Sequence, residues 1–540
     1  MNHPRLSRAP QELEQEVFDV LVLGGGITGA GIARHAAQAG LRTALVEAAD
    51  FGSGTSSRST KLIHGGLRYL AMGDFALVRE AALERKAVHR IAPHLAEPRW
   101  MVLPVRSRLE WLKYRVGVGI YEFLGSVAAS DRFGQRPDGS AAQLEPGIAW
   151  NEFPYACVYR EYLTDDARLV LATLRSAVAL GAVVQNYVRA EAVIPPQAGQ
   201  EFHQVQLSDA LQPDSTFTAR ARTVINATGP WAESLLPPST DAARLRLSKG
   251  VHIVLRNEQL PVNNLVMIGA PDGRLLFVIG RGRYTYVGTT DTPYDRAPRT
   301  WPTVSAADVE YLLAPLATYF PKHPISAEDV VASWAGLRPL VNEPGKAPKE
   351  MSRKDEIWQD DGFITIAGGK LTGFRKMAED VLERVGAHLQ RSVALGSKLQ
   401  PLCGGDLEST GCRTVEELIT HVARRYQQPE VIAARLVRLY GSEVESVLGA
   451  APTPLSASLF AEEVDWGVVT EGAISLEDMV YLRLRAAWFA PMELLEALPA
   501  IAARMATLRG WSETVLAQQL SQCRERLRSD LEFGTADSAG

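Results

Sequence analysis

The spacing of the hydrophobic residues changes along the chain, and each change predicts a different element. Near the N-terminus, VFDVLVL (17–23) is an apolar run rich in β-branched residues, which is typical of a parallel strand buried on both faces. AGIARHAAQAG (30–40) then predicts a helix that ends at its last glycine, and LRTALVEA (41–48) predicts the next strand. Strand, helix and strand in this order indicate a parallel α/β unit.

Two later regions have other patterns. VHIVLR, NLVMIG, RLLFVIG and YTYVGTT lie between turn signals such as APDGR, and these short strands predict a largely antiparallel sheet. EWLKYRVGVGIYEFLG (110–125) predicts an amphipathic aromatic helix carrying Lys113 and Arg115. It has two interpretations, packing on that sheet or contact with lipid, and we prefer packing.

The last third of the chain is helical in pattern. EELITHVARRY, VIAARLVRLYG, LEDMVYLRLRAAWF and VLAQQLSQCRERL have apolar residues three or four positions apart, and APTPLSAS (451–458) is a predicted linker. The basic apolar helices here are interpreted as a bundle core with solvated arginines, in preference to a lipid or partner surface. Before this region, FITIA predicts a buried strand, and after Gly368-Gly369 a helix begins with one apolar face. That face consists of Leu371, Phe374, Ala378, Val381 and Val385.

Composition restricts the class of protein. A chain of 540 residues is too long for one core, so we expect two or three domains. Its net charge of -5 gives no general attraction to nucleic acid. Four cysteines without metal-binding spacing predict plain thiols in a reducing compartment and no metal site. The N-terminal residues predict no signal peptide, and no apolar run reaches the roughly 18 residues of a membrane helix.

The first strand is followed by a glycine-rich turn, Gly24-Gly25-Gly26-Ile27-Thr28-Gly29. It satisfies the G-x-G-x-x-G pattern, in which the glycines allow a tight turn, close approach of a pyrophosphate and close packing of helix on strand. Glu47 follows 18 residues after Gly29, where an acid can accept hydrogen bonds from a ribose. We therefore predict dinucleotide binding, because a turn that binds nothing leaves Glu47 unexplained. A single such motif, with a later strand that ends in a glycine in TVINATGPWA (223–232), favours FAD over NAD.

The stretch TSSRSTKLIHGGLRYL (55–70) is unusually rich in hydrogen-bonding groups. The hydroxyls of Ser56, Ser57, Ser59 and Thr60 and a glycine pair suit a cofactor-binding segment better than the cap of a following helix. Together with GGGITGAGIARHAA, INATGPWA, GTTD, GLRPL and GGKLTGFRKMAE, this stretch resembles the FAD-dependent glycerol-3-phosphate dehydrogenases. The order and spacing match over residues 17–385, and residues 400–530 resemble the helical C-terminal domain of that family more loosely.

The resemblance implies an α/β fold with three domains. These are a discontinuous Rossmann-like FAD-binding domain (17–95, 156–240 and 330–390), a substrate-binding domain with a mixed, largely antiparallel sheet (96–155 and 241–329) and a C-terminal helical domain (400–530). It also implies oxidation of sn-glycerol 3-phosphate to dihydroxyacetone phosphate, with hydride transfer to flavin N5 and reoxidation of the flavin by a quinone or, in some relatives, by O2. We expect a cytoplasmic protein, either free or peripheral on the inner face of the cytoplasmic membrane. Nothing in the sequence decides between a monomer and a homodimer.

Site residues follow from the motifs and from the resemblance. The expected cofactor-binding residues are Gly24, Gly26, Ile27, Thr28, Gly29, Glu47, Thr55, Ser56, Ser57, Thr60, Lys61, Leu62, His64, Val188, Thr228, Gly229, Gly369, Lys370, Leu371 and Thr372. The expected substrate-binding residues are Arg68, Tyr69, Thr290, Asp291, Arg338, Arg353 and Lys370, since a phosphate dianion requires cations, preferably guanidinium forks. The expected catalytic residues are His252, Arg338 and His64, with His252 preferred over His64 as the base because His64 matches a flavin-side position.

Two other functions keep the same cofactor motifs. One is a 2-hydroxy-acid or amino-acid oxidase or dehydrogenase, which needs one carboxylate clamp in place of several cations. The other is a flavoprotein without catalysis, which the complete set of pocket motifs disfavours. A glycerol-3-phosphate oxidase that uses O2 differs from the main interpretation only in its electron acceptor.

Overall fold

Two β-sheets and a helical C-terminal region make up the protein. The computed structural model describes residues 3–64, 75–124, 140–236, 244–342, 355–393 and 399–534. The strands are β1 (Val17–Leu23), β2 (Thr43–Val46), β3 (Leu62–Ile63), β4 (Ala96–Val105), β5 (Tyr155–Thr164), β6 (Val183–Gln185), β7 (Val188–Ile194), β8 (His203–Asp209), β9 (Gln212–Asn226), β10 (Leu245–Arg256), β11 (Leu265–Gly269), β12 (Leu275–Arg281), β13 (Tyr284–Gly288), β14 (Thr292–Tyr294), β15 (Ala332–Val341), β16 (Glu356–Asp360) and β17 (Phe363–Ala367). The helices are α1 (Ile27–Gln38), α2 (Phe75–Ile91), α3 (Arg108–Leu124), α4 (Ser140–Leu144), α5 (Asp166–Ala179), α6 (Ala306–Leu313), α7 (Leu316–Tyr319), α8 (Phe374–His388), α9 (Val415–Arg425), α10 (Glu430–Tyr440), α11 (Val444–Leu448), α12 (Ala461–Val469), α13 (Ala486–Phe489), α14 (Pro491–Arg509) and α15 (Glu513–Ser529).

The first sheet has the strand order β16-β17-β9-β1-β2-β6, with β7 and β8 continuing antiparallel from β9. The pairs β1–β2, β1–β9, β9–β17 and β2–β6 are parallel. Alternate residues of β1 enter separate cores: Val20 packs with α1, α5 and α8, whereas Leu21 packs on the opposite face. This burial on both faces explains the unbroken apolar run and confirms the predicted α/β unit.

The predicted apolar face of α8 is also confirmed. Phe374, Ala378, Val381 and Val385 are buried in the core shared with α1. Leu371 is only partly buried, because it lies in a 3₁₀ turn that precedes the helix. The helix therefore starts several residues later than the glycine pair suggests, and the intervening turn faces the cavity described below.

The second sheet has the order β14-β10-β13-β12-β11-β4-β5-β3, and β15 also pairs with β10. Most pairs are antiparallel and β4–β11 is parallel, so the predicted mixed, largely antiparallel sheet is confirmed. The predicted segments and the sheets differ at three strands. β3, β5 and β15 fall within the segments assigned to the FAD-binding domain, but all three belong to the second sheet. β5 pairs with β4 along its whole length and with β3, and β15 pairs with β10. The sequence motifs identified strand ends that face the cavity. They did not show to which sheet each strand belongs.

Helix α3 has two different faces. Val118 and Tyr121 are buried against the second sheet, which agrees with the preferred packing interpretation. The opposite face is solvent-exposed and apolar, so packing alone does not account for the helix. This exposed stripe consists of Leu109, Leu112, Val116, Ile120 and Phe123. Within the described ranges, no helix combines the length and apolarity required to cross a membrane.

The C-terminal region contains α9 to α15, of which the longest, α14, was not predicted because Pro499 interrupts its pattern. The segment LEDMVYLRLRAAWF forms a π-helical turn (Asp478–Arg483) and the short α13, joined at Arg485 in a left-handed conformation (φ 59°). The prediction of solvated arginines is wrong here, because Arg483 and Arg485 are 0% and 1% exposed. Helical periodicity did not reveal their partners, which are carboxylates distant in sequence.

The carboxylates that pair with Arg485 belong to a buried group of charges that joins the two sheets and the C-terminal region, whereas Arg483 pairs with Asp50. Arg485 donates from Nε to Asp165 at 3.1 Å and from Nη2 to Asp166 at 2.8 Å. Lys61 Nζ donates to Asp166 at 3.1 Å, and Arg281 of the second sheet donates to Asp165 at 2.5 Å. We call these five residues the Asp166 cluster. Burial raises the pKa of Asp165, but Arg485 and Arg281 outweigh burial and hold this pKa well below its usual range.

Removal of one cation from the cluster is expected to destabilise the protein strongly. Arg485→Met leaves two buried carboxylates with fewer partners, so the free energy of unfolding should fall by about 3–5 kcal/mol. Urea unfolding of the FAD-loaded protein measures this. The matched control is Arg504→Met, which removes an arginine that is 46% exposed from a two-bond pair with Asp465, and its cost should stay below about 1 kcal/mol. Equal costs for the two variants would contradict the importance of the cluster.

Candidate functional site

A cavity of about 1000 Å³ runs between the two sheets. Its wall contains most of the residues that were predicted to bind the cofactor. They are Gly24, Gly26, Ile27, Thr28, Glu47, Thr55, Ser56, Thr60, Leu62, His64, Val188, Thr228, Gly229, Gly369, Lys370, Leu371 and Thr372. The predicted residues Gly29, Ser57 and Lys61 do not line it.

The glycine-rich turn connects β1 to the N-terminus of α1. Gly24 has φ of +107°, and a Cβ there would lie 2.6 Å from the carbonyl oxygen of Ala227. A Cβ on Gly29 would lie 1.9 Å from the carbonyl oxygen of Gly24, so α1 packs against the turn only if this residue is glycine. Gly29 therefore shapes the turn without lining the cavity. The N-terminal amides of α1 consequently face the cavity, where a helix N-terminus attracts an anion.

Glu47 lies at the end of β2, close to the glycine-rich turn. Its Oε2 accepts a hydrogen bond from the Gly25 amide at 2.7 Å, and its Oε1 accepts one from the Ala49 amide at 2.9 Å. Burial raises the pKa of this carboxyl. The side chain is thus fixed at the cavity wall by backbone donors, at the position where a ribose hydroxyl would be recognised.

The segment 55–64 has two faces. Ser56 Oγ accepts a hydrogen bond from the Ile27 amide at 2.9 Å, so this hydroxyl lies at the N-terminus of α1. Ser57 and Lys61 are fully buried on the other side, where Lys61 Nζ donates to the Ser57 carbonyl oxygen at 2.7 Å. Neither residue lines the cavity, although Ser57 was predicted to bind the cofactor through its hydroxyl and Lys61 through its backbone. Lys61 has φ of 57°, and this left-handed conformation accompanies the placement of its side chain in the Asp166 cluster.

The predicted substrate residues are only partly within the described ranges. Arg338, Asp291 and Lys370 line the cavity, whereas Arg68, Tyr69 and Arg353 lie outside the described residues. Arg338 donates from Nη2 to Thr289 Oγ1 at 2.8 Å and from Nη1 to Asp291 Oδ1 at 3.3 Å. Asp291, which was predicted to bind substrate, thus orients the guanidinium of Arg338 at the cavity wall.

The predicted threonine is displaced by one residue. Thr290 is 2% exposed, and its Oγ1 accepts a hydrogen bond from the Val251 amide at 3.0 Å. Its neighbour Thr289 lines the cavity and contacts Arg338. Consecutive side chains in extended backbone point to opposite sides, so the motif located the strand end correctly but selected the side chain that faces the sheet.

The two predicted histidines have different surroundings. His64 lines the cavity at the end of β3, and its backbone amide donates to Thr372 Oγ1 at 3.2 Å. His252 is 1% exposed, stacks on Trp334 with ring centroids 4.8 Å apart, and is absent from the cavity wall. Its Nε2 lies 3.0 Å from Thr60 Oγ1, which does line the cavity. Burial, together with the positive charges of Lys61 and Arg338, holds the pKa of His252 well below its usual range.

Three cavity-lining arginines, Arg58, Arg189 and Arg274, were not predicted. Arg58 is 4% exposed, and its guanidinium lies 4.0 Å from the ring centroid of Trp301. Arg274 follows the turn between β11 and β12. The sequence contained a signal for Arg58, because this cation lies inside a segment already assigned to the pocket. Arg58 lies within TSSRSTKLIHGG, and Arg274 ends APDGR, which was interpreted only as a turn.

These features fit FAD. Helix N-terminal amides and the Ser56 hydroxyl suit the pyrophosphate, and Glu47 suits a ribose. Gly368 and Gly369, with φ of 79° and 75°, bring the backbone before α8 to the cavity wall, where amides can face a flavin ring. Gly24 and Gly29 approach neighbouring backbone closely and carry no side chain. The glycine-rich turn therefore forms an open cradle for a ligand.

Comparisons with known proteins agree with FAD as the cofactor. Residues 19–376 match the family model of FAD dependent oxidoreductases, and residues 397–516 match the C-terminal domain of alpha-glycerophosphate oxidase. An aerobic glycerol-3-phosphate dehydrogenase of Staphylococcus aureus (strain USA300) is 38% identical over 457 residues, which cover 82% of this chain and 81% of that protein. A Bacillus halodurans glycerol-3-phosphate dehydrogenase, solved in complex with FAD, superposes with a TM-score of 0.78 at 32% identity and 98% coverage of both chains. An L-alpha-glycerophosphate oxidase of Mycoplasma pneumoniae shares the fold at 17% identity, with a TM-score of 0.55 over 72% of this chain and 98% of that one.

Proposed function

This chain belongs to the FAD-dependent glycerol-3-phosphate dehydrogenases, and we propose that it oxidises sn-glycerol 3-phosphate to dihydroxyacetone phosphate in the cavity between its two sheets. The observation that carries the proposal is the pair Arg338–Asp291, because it places an oriented guanidinium beside the FAD cradle. Bound FAD supplies the two-electron acceptor for the hydride that leaves C2 of the substrate. The residues of the chain bind, orient and deprotonate that substrate.

Arg338 binds the phosphate group in this proposal. Its fork is fixed by Thr289, Thr290 and Asp291 before the substrate arrives, so little side-chain freedom is lost on binding. Lys370 adds a cation on the wall formed by the turn before α8. That turn also presents backbone amides, whose partial positive charge favours negative charge that develops next to them.

We assign removal of the C2 hydroxyl proton to His64, which reverses the order of preference drawn from the sequence. A general base must reach the proton that it takes, and His64 lines the cavity whereas His252 lies behind Thr60. His252 is then a positioning residue that acts through Thr60. Its low pKa keeps the ring neutral, so no positive charge is added behind the reacting atoms.

The electron acceptor in this proposal is a quinone that reaches the site along α3. The cavity wall also includes Met101, Met267 and Phe277 of the second sheet and Val116 and Ile120 of α3, and the ring centroids of Phe277 and His64 are 6.4 Å apart. We call this part the apolar branch. Two of its α3 residues also belong to the exposed apolar stripe, so the branch lies beneath the face of the helix that meets solvent. This continuity suits an acceptor dissolved in lipid better than O2, which needs no apolar channel.

The proposed partner of the stripe is an anionic lipid surface. Arg106, Arg108 and Lys113 are exposed along or just before α3, and cations beside an apolar helix face favour binding in the plane of such a membrane. In this proposal the protein binds the inner face of the cytoplasmic membrane as a peripheral protein. A homodimer formed through the same stripe is the competing outcome of the test below.

The proposed reaction is tested by anaerobic titration. Glycerol 3-phosphate is expected to bleach the absorbance of the bound oxidised flavin. Arg338→Ala should raise the concentration required by on the order of 10²-fold, because truncation of a desolvated charged contact costs about 2–5 kcal/mol. Arg256→Ala, which removes a 44% exposed arginine from the same sheet, should behave as the wild type. Flavin that stays oxidised with glycerol 3-phosphate but is bleached by a 2-hydroxy acid or an amino acid would sink the proposal in favour of that alternative.

The histidine assignment is tested with matched variants. His64→Gln should lower kcat by roughly 10²–10⁴-fold, since it removes a general base, while FAD content stays normal. His252→Gln should lower kcat less, and Thr60→Ala should reproduce its effect because both changes break the same contact. Rapid-quench or steady-state kinetics measure kcat, and flavin absorbance measures FAD content. A larger loss in His252→Gln than in His64→Gln would return the role of base to His252.

The membrane and acceptor assignments are tested by changing exposed residues only. Leu109→Gln combined with Phe123→Gln should lower co-sedimentation with anionic vesicles and turnover with a long-chain quinone, because about 25 cal/mol is lost per Å² of buried apolar area. Turnover with a soluble dye should not change. Val431→Gln with Met492→Gln, two exposed apolar residues of the C-terminal region, is the control. Unchanged vesicle binding with a halved mass by light scattering would identify the stripe as a homodimer contact, and reoxidation faster with O2 than with a quinone would identify an oxidase.

A further inference from the structure

Arg274 lies on the cavity wall together with Arg338, Thr289 and Asp291. It follows a tight turn in which the Ala270 amide donates to the Arg274 carbonyl oxygen at 2.8 Å. Gly273, immediately before it, has φ of +80°, a conformation that a residue with a Cβ adopts at a cost. The turn thus fixes where β12 starts, and with it the direction of the arginine.

The guanidinium of Arg274 is held on three sides. Its Nε donates to Asp272 Oδ2 at 2.6 Å, and its Cζ lies 4.8 Å from the centroid of the Tyr311 ring. The Tyr311 hydroxyl donates to Asp272 Oδ1 at 3.0 Å, so the acid is also fixed. The Arg274 side chain nevertheless remains 34% exposed. An arginine that is oriented in advance but still accessible can bind an anion with little loss of side-chain freedom.

The third contact joins Arg274 to the Arg338 site. Arg274 Nη1 donates to the carbonyl oxygen of Asp291 at 3.0 Å, and the side chain of the same residue accepts from Arg338. Thr289 and Thr290 also accept hydrogen bonds from Arg338. Two guanidiniums therefore converge on a three-residue segment at one end of the cavity.

A bound phosphate group requires more positive charge at this end of the cavity than Arg338 alone supplies. The carboxylate of Asp291 offsets much of the charge of Arg338 at a distance of 3.3 Å, whereas a phosphomonoester carries about -1.5 to -2 charges at pH 7. Asp272 opposes Arg274 in the same way, but it is 42% exposed, so water and salt screen part of its charge. Arg274 is the described cation next to this segment whose charge is best placed to complete the site.

We infer that Arg274 is a further substrate-binding residue, whose guanidinium contacts the phosphate group and selects phosphomonoesters over uncharged polyols and singly charged 2-hydroxy acids. The inference rests on the proposed function and names the group that sets its specificity. It also assigns a role to the turn between β11 and β12, which carries the arginine to the cavity.

The test compares KM and kcat in Arg274→Gln. KM for glycerol 3-phosphate should rise about 10- to 100-fold, the loss expected for one charged hydrogen bond, while kcat changes less than about twofold because the contact forms equally in the ground state and the transition state. Competitive inhibition by inorganic phosphate should weaken by a similar factor. Arg274→Lys, which keeps the charge, should restore part of the affinity, and kcat/KM should depend less on salt in Arg274→Gln than in the wild type.

The control is Arg256→Gln, which makes the same charge change on the same sheet away from the cavity wall, and it should leave KM unchanged. An unchanged KM in Arg274→Gln would overturn the inference. So would an equal loss of kcat/KM with uncharged glycerol, because the residue would then act on the cavity as a whole. Wild-type protein whose flavin is not bleached by glycerol 3-phosphate would instead refute the proposed function, so the two failures are distinguishable.

Discussion

Neutralisation of the buried charges in the Asp166 cluster is the constraint on which the rest of the structure depends. Lys61 comes from the segment beside the FAD cradle, Asp165 and Asp166 from the start of α5, Arg281 from the second sheet and Arg485 from the C-terminal region. A charge buried away from water is costly unless it is paired. Each part of the molecule therefore supplies a charge that the others require, and none of the three can shift independently without leaving an unpaired ion.

The same constraint gives the cavity its shape. In the segment 55–64, Ser57 and Lys61 face the cluster, so their neighbours Ser56 and Thr60 face the cavity. Asp166 also accepts hydrogen bonds from the amide and hydroxyl of Ser59 at 3.1 and 2.7 Å. The crowding of polar groups in this stretch has two causes, since Ser59 and Lys61 bond to Asp166 whereas Ser56, Thr60 and His64 face the ligand cavity.

The parts of the fold that depend on local pattern could be predicted from the sequence. β1 and α8 bury the residues that their spacing indicated, and the glycine turn has the close backbone contacts that its glycines implied. Features set by distant partners could not be predicted. Arg485 looked solvated because Asp165 and Asp166 are more than 300 residues away. Thr290 looked like a pocket residue because a motif does not state which side of a strand end faces the ligand, and Arg274 looked like part of a turn because its contacts with Asp291 and Tyr311 arise only in the folded chain.

The position of Arg485 near the end of the chain has a consequence for biosynthesis. The ribosome completes the glycine turn, Lys61 and Asp166 long before it reaches residue 485, so the nascent chain holds these charges without one of their partners. The early domain must keep that region hydrated, or otherwise compensated, until the C-terminal helices emerge. The segment 55–64 beside the FAD cradle therefore gains the last partner of its buried charges late in synthesis. Truncation near the C-terminus that removes Arg485 affects this segment although all of its own residues are present.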